Sequence, residues 1–373
     1  MTQATQPQPG SRPRLLSIDA LRGFDMFWIL GGEGLFAALL VLTGWSGFQL
    51  AANQMEHSAW HGVTAYDLIF PLFIFLSGVT LGLKPLALRA MTPSARWPIY
   101  RKALKRLALL CLLGVVYNHG WGGGIPLAPD AVRYASVLGR IGMAWFLAAM
   151  IVWHLSLRAQ LLAAGLLMLA YGLTQGSFGA DPYSAAGSLN AWVDQALLPG
   201  QFYGGGPLDP EGLFSHLSAA LNALAGAWVG RWLSTPYALN RRLALLAAVG
   251  SGLLLTGYGI SPWIPLNKTL WTVSFVLVSV GWSGLLLALF ALLIDGWGWH
   301  RPGRLFALIG GNAIAIYLAS ALVDWGYLSR SLMGGVIDSL PAAAQPLLAC
   351  LALLAVQLAV LAFLARHRLF FKV

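Results

Sequence analysis

The stretch "TAYDLIFPLFIFLSGVTLGL", residues 64–83, decides the fold class. It carries a single charged residue, Asp67, in 20 residues, and a helix of about 20 residues crosses the roughly 30 Å hydrocarbon core of a bilayer. Its apolar residues follow one another without the alternation that a membrane β-strand requires. The stretch therefore predicts a membrane-spanning α-helix.

The whole chain has the same character. Of its 373 residues, 58% are hydrophobic and only 10% are charged, whereas soluble domains carry roughly 25% charged residues. We predict an all-α, polytopic integral membrane protein with about ten transmembrane helices, in one domain over 21–365 between cytoplasmic tails at 1–20 and 366–373. The predicted spans are about 21–43, 64–83, 103–119, 134–154, 157–175, 212–233, 241–260, 269–294, 305–325 and 345–365.

Basic residues predict the orientation, because short cytoplasmic loops accumulate Lys and Arg. With the N-terminus inside, eighteen basic residues fall in cytoplasmic segments and three in outside segments, so both termini are predicted to be cytoplasmic. The net charge of +10 then reflects topology and gives no reason to expect a nucleic-acid partner. The polar first 19 residues contain no apolar core of a signal peptide, so we expect no cleavage there.

Acidic residues within spans are candidates for function, because each charge costs at least ~2.5 kcal/mol at the bilayer centre. Asp19, Arg22 and Asp25 share one helical face, and an internal ion-pair ladder explains them. Glu33 has no basic residue within helical reach. It needs a partner from another helix or from a ligand.

Two histidines precede the span at 64–83. His57, near Glu33 and Asp67 at the same membrane face, is a candidate base oriented by a carboxylate. Asp67 also fits a capping box with Thr64, in which it satisfies free amides at a helix start, while His61 fits an exposed interfacial position. Spacing leaves these alternatives open.

The longest loop, 176–211, is predicted to lie outside and contains no Lys or Arg. Its acidic residues include Asp209 and Glu211, which are candidates for substrate binding. Long loops frequently act as lids or binding loops, and a simple connector is the alternative. HExxH, paired CxxC and Walker motifs are absent, so the sequence supports neither a metal site nor nucleotide hydrolysis.

Six ordered segments resemble the heparan-α-glucosaminide N-acetyltransferase family and its bacterial relatives. They are "SIDALRG", "EHSAWHGVTAYDLIFPLFIFLSG", "VLGRIGMAWF", "DPEGLFSHLSAALNALAGAWVG", "IPLNKTLWTVSF" and "GGNAIAIYL". The resemblance implies transfer of an acetyl group from cytosolic acetyl-CoA to a glucosamine amino group across the membrane. It also implies that His57, in the family's H-x-x-W segment, is catalytic, either as a base or as an acetyl carrier.

The resemblance implies roles for further residues. Glu33 or Asp67 would orient the imidazole, and polar contacts to acetyl-CoA or to the oxyanion are assigned to Asn267, Lys268 and Asn312. Sugar stacking is assigned to Trp60, Trp263 and Trp271, although membrane proteins also place tryptophans in interfacial belts. The donor phosphates are assigned to the basic segment 84–106, with Arg101 and Lys102, and to Arg140, although positive-inside retention explains the segment equally well.

Two departures from the animal lysosomal members resemble the bacterial branch. We expect no N-terminal luminal extension like theirs before the first span, and Glu33 stands where they carry a neutral polar residue. A bacterial cytoplasmic (inner) membrane protein is therefore expected, surrounded by lipids and acting on free glucosamine or a short amino-sugar oligosaccharide.

The alternative class is a sugar transporter, in which outer acids and tryptophans bind substrate while helices rock around a midplane site. No internal repeat relates the first five predicted spans to the last five. Gly226 and Gly230 form a GxxxG motif, which permits tight helix packing and is compatible with a homodimer.

Overall fold

The computed structural model describes residues 15–84, 86–120, 122 and 128–371. Most of the predicted N-terminal tail and the last two residues of the predicted C-terminal tail lie outside these ranges. The described residues form fifteen α-helices: α1 Leu16–Phe27, α2 Gly34–Thr43, α3 Ser46–Gln54, α4 Ile69–Leu83, α5 Pro93–His119, α6 Val137–His154, α7 Leu157–Gly176, α8 Leu189–Leu197, α9 Ser215–Leu233, α10 Leu239–Ile260, α11 Val273–Phe290, α12 His300–Gly311, α13 Ala313–Leu322, α14 Trp325–Asp338 and α15 Gln345–Arg366.

The all-α prediction is confirmed, since the described ranges contain no β-strand and only an isolated bridge between Arg133 and Gly200. Six helical segments are long and apolar enough to cross a membrane, and the number rises to eight if each of two bent helix pairs is one span. The chain is therefore an integral membrane protein. The count of ten and the orientation of the termini remain predictions.

The predicted span at 103–119 falls within α5, and the predicted span at 212–233 contains α9; neither helix is among those eight. Of the predicted ladder, the Asp19–Arg22 contact is present, with 3.3 Å between the carboxylate oxygen and Nη1. Asp25 is buried, and its Oδ2 has no hydrogen-bond partner among the described residues.

Helices α4 and α9 pack with their backbones in contact. A Cβ atom on Gly78 would lie 1.9 Å from the carbonyl oxygen of Ala223, and one on Gly226 would lie 2.0 Å from the carbonyl oxygen of Phe75. Such distances admit only glycine. The predicted GxxxG motif of α9 is therefore used within the chain, against α4, and this close contact fixes the helix that directly follows the turn Tyr66–Leu68.

The first apolar segment is broken between α1 and α2. A π-helical turn, Trp28–Gly32, ends the first part, and the axes of Leu16–Gly32 and Gly34–Thr43 differ by 56°. Gly31 has a φ of 115°, a conformation that suits glycine because it has no Cβ. Glu33 lies at this break. A similar 59° bend separates α12 from α13.

Candidate functional site

Asp67 is held at the start of the 64–83 segment by several donors. Its Oδ2 accepts hydrogen bonds from the backbone N–H groups of Ser58 at 3.1 Å and Thr64 at 3.2 Å, while its own N–H donates to Thr64 Oγ1 at 3.4 Å. This is the reciprocal arrangement of a capping box. The capping interpretation of Asp67 therefore describes one of its two oxygens.

The other carboxylate oxygen of Asp67 contacts His57. The distance from Oδ1 to His57 Nδ1 is 2.8 Å, and the exposed fraction is 1% for the Asp67 side chain and 55% for the His57 side chain. Because an ionised carboxylate only accepts hydrogen bonds, this contact places the imidazole proton on Nδ1. Nε2 then carries the free lone pair, and Lys268 Nζ lies 3.4 Å from it.

Lys268 completes a three-residue cluster with His57 and Asp67. Its Nζ lies 3.1 Å from His57 Nδ1 and 3.4 Å from Asp67 Oδ1. Burial lowers the pKa of the Lys268 ammonium from its usual value, while the negative charge of Asp67 opposes that shift. The cluster thus combines a base, a carboxylate that orients it and a cation.

Glu33 finds its partner in Tyr66. The Tyr66 hydroxyl donates a hydrogen bond to Glu33 Oε2, and the Tyr66 ring packs against the His57 ring with 4.8 Å between their centroids. Glu33 is therefore connected to the histidine through Tyr66. The carboxylate that contacts the imidazole directly is Asp67.

The His57–Asp67–Lys268 cluster and Tyr66 lie on the wall of a cavity of about 610 Å³, whereas Glu33 does not line it. His57, Tyr66, Asp67 and Lys268 form part of its wall, together with apolar residues of α1, α4, α6 and α13 such as Met26, Phe73, Ile141 and Ile314. A polar cluster on one wall of an otherwise largely apolar cavity is typical of a small-molecule site.

The loop 176–211 is tied to the segment before α6 by a buried ion-pair network. Arg133 donates from Nε to Asp209 Oδ2 and from Nη2 to Asp209 Oδ1, both at 2.7 Å, and Nη2 also contacts Glu211. These contacts raise the pKa of Arg133 and lower that of Asp209. Both predicted substrate-binding acids are thus engaged with Arg133, and of the two only Glu211 lines the cavity.

Asn267 joins two loops beneath the cluster. Its Nδ2 donates to the Trp60 carbonyl oxygen at 2.8 Å, and its Oδ1 accepts from the Leu270 N–H at 2.8 Å. Trp60 lines the cavity and donates from Nε1 to the Tyr183 carbonyl oxygen. His61 is exposed and lies 3.4 Å from Asn267 Nδ2. The amide of Asn267 therefore positions Trp60 and Lys268 rather than facing the cavity.

Three further predicted binding residues, Trp263, Trp271 and Asn312, do not line the cavity. The Trp263 side chain is 76% exposed, whereas Trp271 is fully buried and donates from Nε1 to Asn222 Oδ1 at 3.0 Å. Asn312, at the bend between α12 and α13, bonds the Leu369 carbonyl oxygen and the Phe371 N–H. Its amide holds the end of the chain.

The predicted donor-binding cations are separated in space. Arg101 and Lys102 are exposed near the start of α5. Arg140 is buried near the start of α6, where it bonds the Gly212 carbonyl oxygen and Ser215 and lies 4.8 Å from the centroid of the Trp271 ring. Arg133 binds the end of the 176–211 loop, and α6 begins four residues after it. Arg140, in the first turn of α6, therefore lies beside the end of the same loop.

Sequence reasoning did not select Tyr66 or Arg133. Tyr66 immediately precedes Asp67, and an aromatic hydroxyl at a span entrance was a signal that was not used. Arg133 is one of only three basic residues predicted to lie outside, so an acidic loop with no Lys or Arg of its own was a natural partner for it.

The fold and the site define the protein as an all-helical integral membrane protein with a His–Asp–Lys cluster on the wall of a largely apolar cavity. Its relatives are enzymes by name. The chain is 24% identical to "heparan-alpha-glucosaminide N-acetyltransferase" of Mus musculus and 26% identical to the Homo sapiens protein of the same name, over 83% and 84% of its length. The chain is a homologue of these proteins, which confirms the relationship indicated by its motifs.

The chain spans about half the length of the curated relatives it matches, 55% of the mouse protein and 53% of the human one. No protein-family model matches the chain.

Proposed function

We propose that the chain is a transmembrane acetyltransferase that moves an acetyl group from acetyl-CoA to the amino group of a glucosamine-type sugar. The observation that carries the proposal is the 2.8 Å contact between His57 Nδ1 and Asp67 Oδ1 on the cavity wall of a homologue of N-acetyltransferases. A histidine with one nitrogen held by a carboxylate presents the other as a base or nucleophile.

The chemistry requires a neutral amine, a base and a group that stabilises negative charge. The amine nitrogen attacks the thioester carbonyl carbon, His57 Nε2 takes a proton from that nitrogen, and the sulfur leaves with the electrons of the C–S bond. Lys268, beside His57, supplies positive charge near the developing oxyanion. In a two-step route Nε2 attacks the thioester carbonyl carbon and the CoA thiolate leaves with the electrons of the C–S bond. The amine then attacks the acetyl carbon, the C–Nε2 bond breaks, and the proton of the amine passes through Nε2 to the thiolate.

The names of the relatives support an amine acceptor, since both are glucosaminide N-acetyltransferases by name. The charged side chains of the cavity wall are balanced, with Asp67 and Glu211 against Arg133 and Lys268.

The donor is proposed to approach from the opposite end of the bundle, which the charge count predicts to be cytoplasmic. There Arg89 and Arg231 line a small cavity of about 80 Å³ near the end of α4. Helix α4 has 15 residues and is therefore ~22 Å long, so the two cavities lie near opposite ends of one helix. Cations at that end suit the phosphates of CoA.

A sugar transporter is the second candidate, and the two bent helix pairs favour it. Discontinuous helices with bends of 56° and 59° are a common feature of transporter binding sites. A transporter would bind the amino sugar without consuming acetyl-CoA.

The purified full chain in detergent distinguishes the two candidates. We expect release of free CoA from acetyl-CoA only when glucosamine is present, with N-acetylglucosamine formed in equal amount. Glucosamine binding without CoA release would support the transporter, and the same assay with glucose tests whether the amino group is required.

A further inference from the structure

The break in the first apolar segment places a carboxylate against a tyrosine of the cavity wall. The π-helical turn Trp28–Gly32 and the 56° bend bring Glu33 to the Tyr66 hydroxyl, which donates to it. π-Helical turns inside helices occur frequently at functional sites. This second polar pair adjoins the His57–Asp67 pair, because the Tyr66 and His57 rings are in contact.

Glu33 has no direct route to the substrate in this arrangement. Tyr66 lines the cavity, whereas Glu33 is not among the lining residues in the described part of the chain. The orienting role on the imidazole is already filled by Asp67. Any effect of Glu33 on a ligand therefore passes through the Tyr66 hydroxyl.

The proposed reaction leaves one proton without an acceptor. An amino sugar in water near neutral pH is partly an ammonium ion, R–NH₃⁺, which has no lone pair for attack. It must lose one proton before attack and a second as the C–N bond forms. The second passes through His57 to the departing CoA thiolate, so the overall change is R–NH₃⁺ plus acetyl-CoA giving the amide, CoA–SH and one H⁺.

We propose that Tyr66 and Glu33 form a relay that takes the first of these protons. The ammonium gives a proton to the phenolic oxygen of Tyr66 while the Tyr66 hydroxyl proton moves to the Glu33 carboxylate, and Glu33 later releases it to water. No electrons leave or enter, and the acceptor is left as a neutral amine. This inference rests on the proposed function and assigns a separate acceptor to each proton.

Other ionisable groups face the relay. His57 faces Glu33 from the loop before α4, Cys350 faces it from α15, and Tyr117 faces Tyr66 from α5. Asp67 directs its oxygens toward His57, Lys268 and the helix start. None of these groups hydrogen-bonds the Glu33 carboxylate within the described residues, so Glu33→Gln and Tyr66→Phe address the relay alone.

The first test is the pH profile of kcat/KM for CoA release with glucosamine. Tyr66→Phe retains the ring that packs on His57, and Glu33→Gln retains the shape of the side chain. At about pH 6, where the acceptor is mainly an ammonium ion, we expect each variant to be slower than the wild type by about 10². At about pH 9 the acceptor arrives neutral, and we expect the difference to fall below about threefold.

The second test replaces the acceptor amine by a hydroxylamine group, which is largely neutral at pH 7. Both variants should then approach the wild-type rate, whereas His57→Ala should remain inactive. The double variant should be no slower than either single one, because the two residues act in series. Tyr327→Phe is the matched control, since Tyr327 is exposed on α14 and distant in sequence from the site.

The outcomes separate the two proposals. A wild-type protein that releases no CoA with either acceptor would refute the acetyltransferase itself. An active wild type, with variants whose loss is the same at every pH and with both acceptors, would refute the relay and leave Glu33–Tyr66 as a structural contact. Normal kcat/KM at about pH 6 in both variants would refute it as well.

Discussion

His57 Nδ1 lies 2.8 Å from Oδ1 of Asp67, a carboxylate whose second oxygen caps the start of the helical segment 64–83. The buried, multiply bonded Asp67 is fixed by the fold, so the position of the more exposed imidazole follows from the position of the helix start. Helix geometry and site geometry are coupled through one side chain.

His57→Ala should abolish acetyl transfer without unfolding the protein. Loss of a base in the transition state lowers kcat by about 10² to 10⁴. The measurement is glucosamine-dependent CoA release by variants with matching size-exclusion profiles. His61→Ala is the matched control and should retain most activity, because His61 is exposed. Near-normal turnover by His57→Ala would contradict the mechanism.

Asp67→Asn should lower kcat by about 10² to 10⁴. An amide nitrogen in place of Oδ1 cannot accept a hydrogen bond from His57 Nδ1, so the imidazole proton moves to Nε2, which then cannot act as the base. The substitution preserves the shape of the helix cap. Asp338→Asn, on a side chain that is 60% exposed, should leave turnover unchanged. If Asp67→Asn lowered only the melting temperature and not kcat, Asp67 would be a capping residue alone.

Arg133→Gln should destabilise the protein by about 3 to 5 kcal/mol, because it leaves two buried carboxylates without their cation. Arg330→Gln breaks an ion pair whose side chains are 68% and 60% exposed, and such a pair contributes about 1 kcal/mol or less. The measurement is thermal unfolding of the full chain in detergent at pH 7. Equal effects of the two substitutions would contradict the structural role of Arg133.

The Arg133 effect should also depend on pH. Folding lowers the pKa of Asp209 from its usual value near 3.8, so the folded state favours the ionised form. Its contribution is therefore complete above that usual pKa and is lost as the pH falls through the lower, folded pKa. The melting temperatures of wild type and Arg133→Gln should converge below about pH 4. A constant difference down to pH 2 would exclude Asp209 as the partner responsible.

The predicted orientation is testable by cysteine labelling of intact cells with a membrane-impermeant reagent. In a variant with Cys111 and Cys350 replaced by Ala, we expect labelling of Asp181→Cys but not of Lys102→Cys. Both positions are exposed on the protein, whereas Asn190 in the same loop as Asp181 is buried and unsuitable. The opposite pattern would reverse the orientation.

The sequence by itself determined the membrane class and the all-α fold, because long apolar runs can satisfy their backbone groups in lipid only as helices or closed barrels. Spacing offered a capping box with Thr64 as one of two open interpretations of Asp67, and it made His57 a candidate base. The resemblance, and not spacing, singled out His57 as the histidine to test. The bend at Gly31, in contrast, was not predicted, because the apolar run at 21–43 continues through it.

Only the tertiary structure decided which residues meet. Glu33 and Tyr66 are 33 positions apart, and Lys268 approaches His57 across 211 positions, so no periodicity relates them. Periodicity also fails to relate Arg133 to Asp209 and Glu211, with which it forms ion pairs, or Trp271 to Arg140, whose guanidinium lies over its ring. Such pairings depend on how helices cross and loops close, and these are set by packing of the whole bundle rather than by the order of residues along one helix.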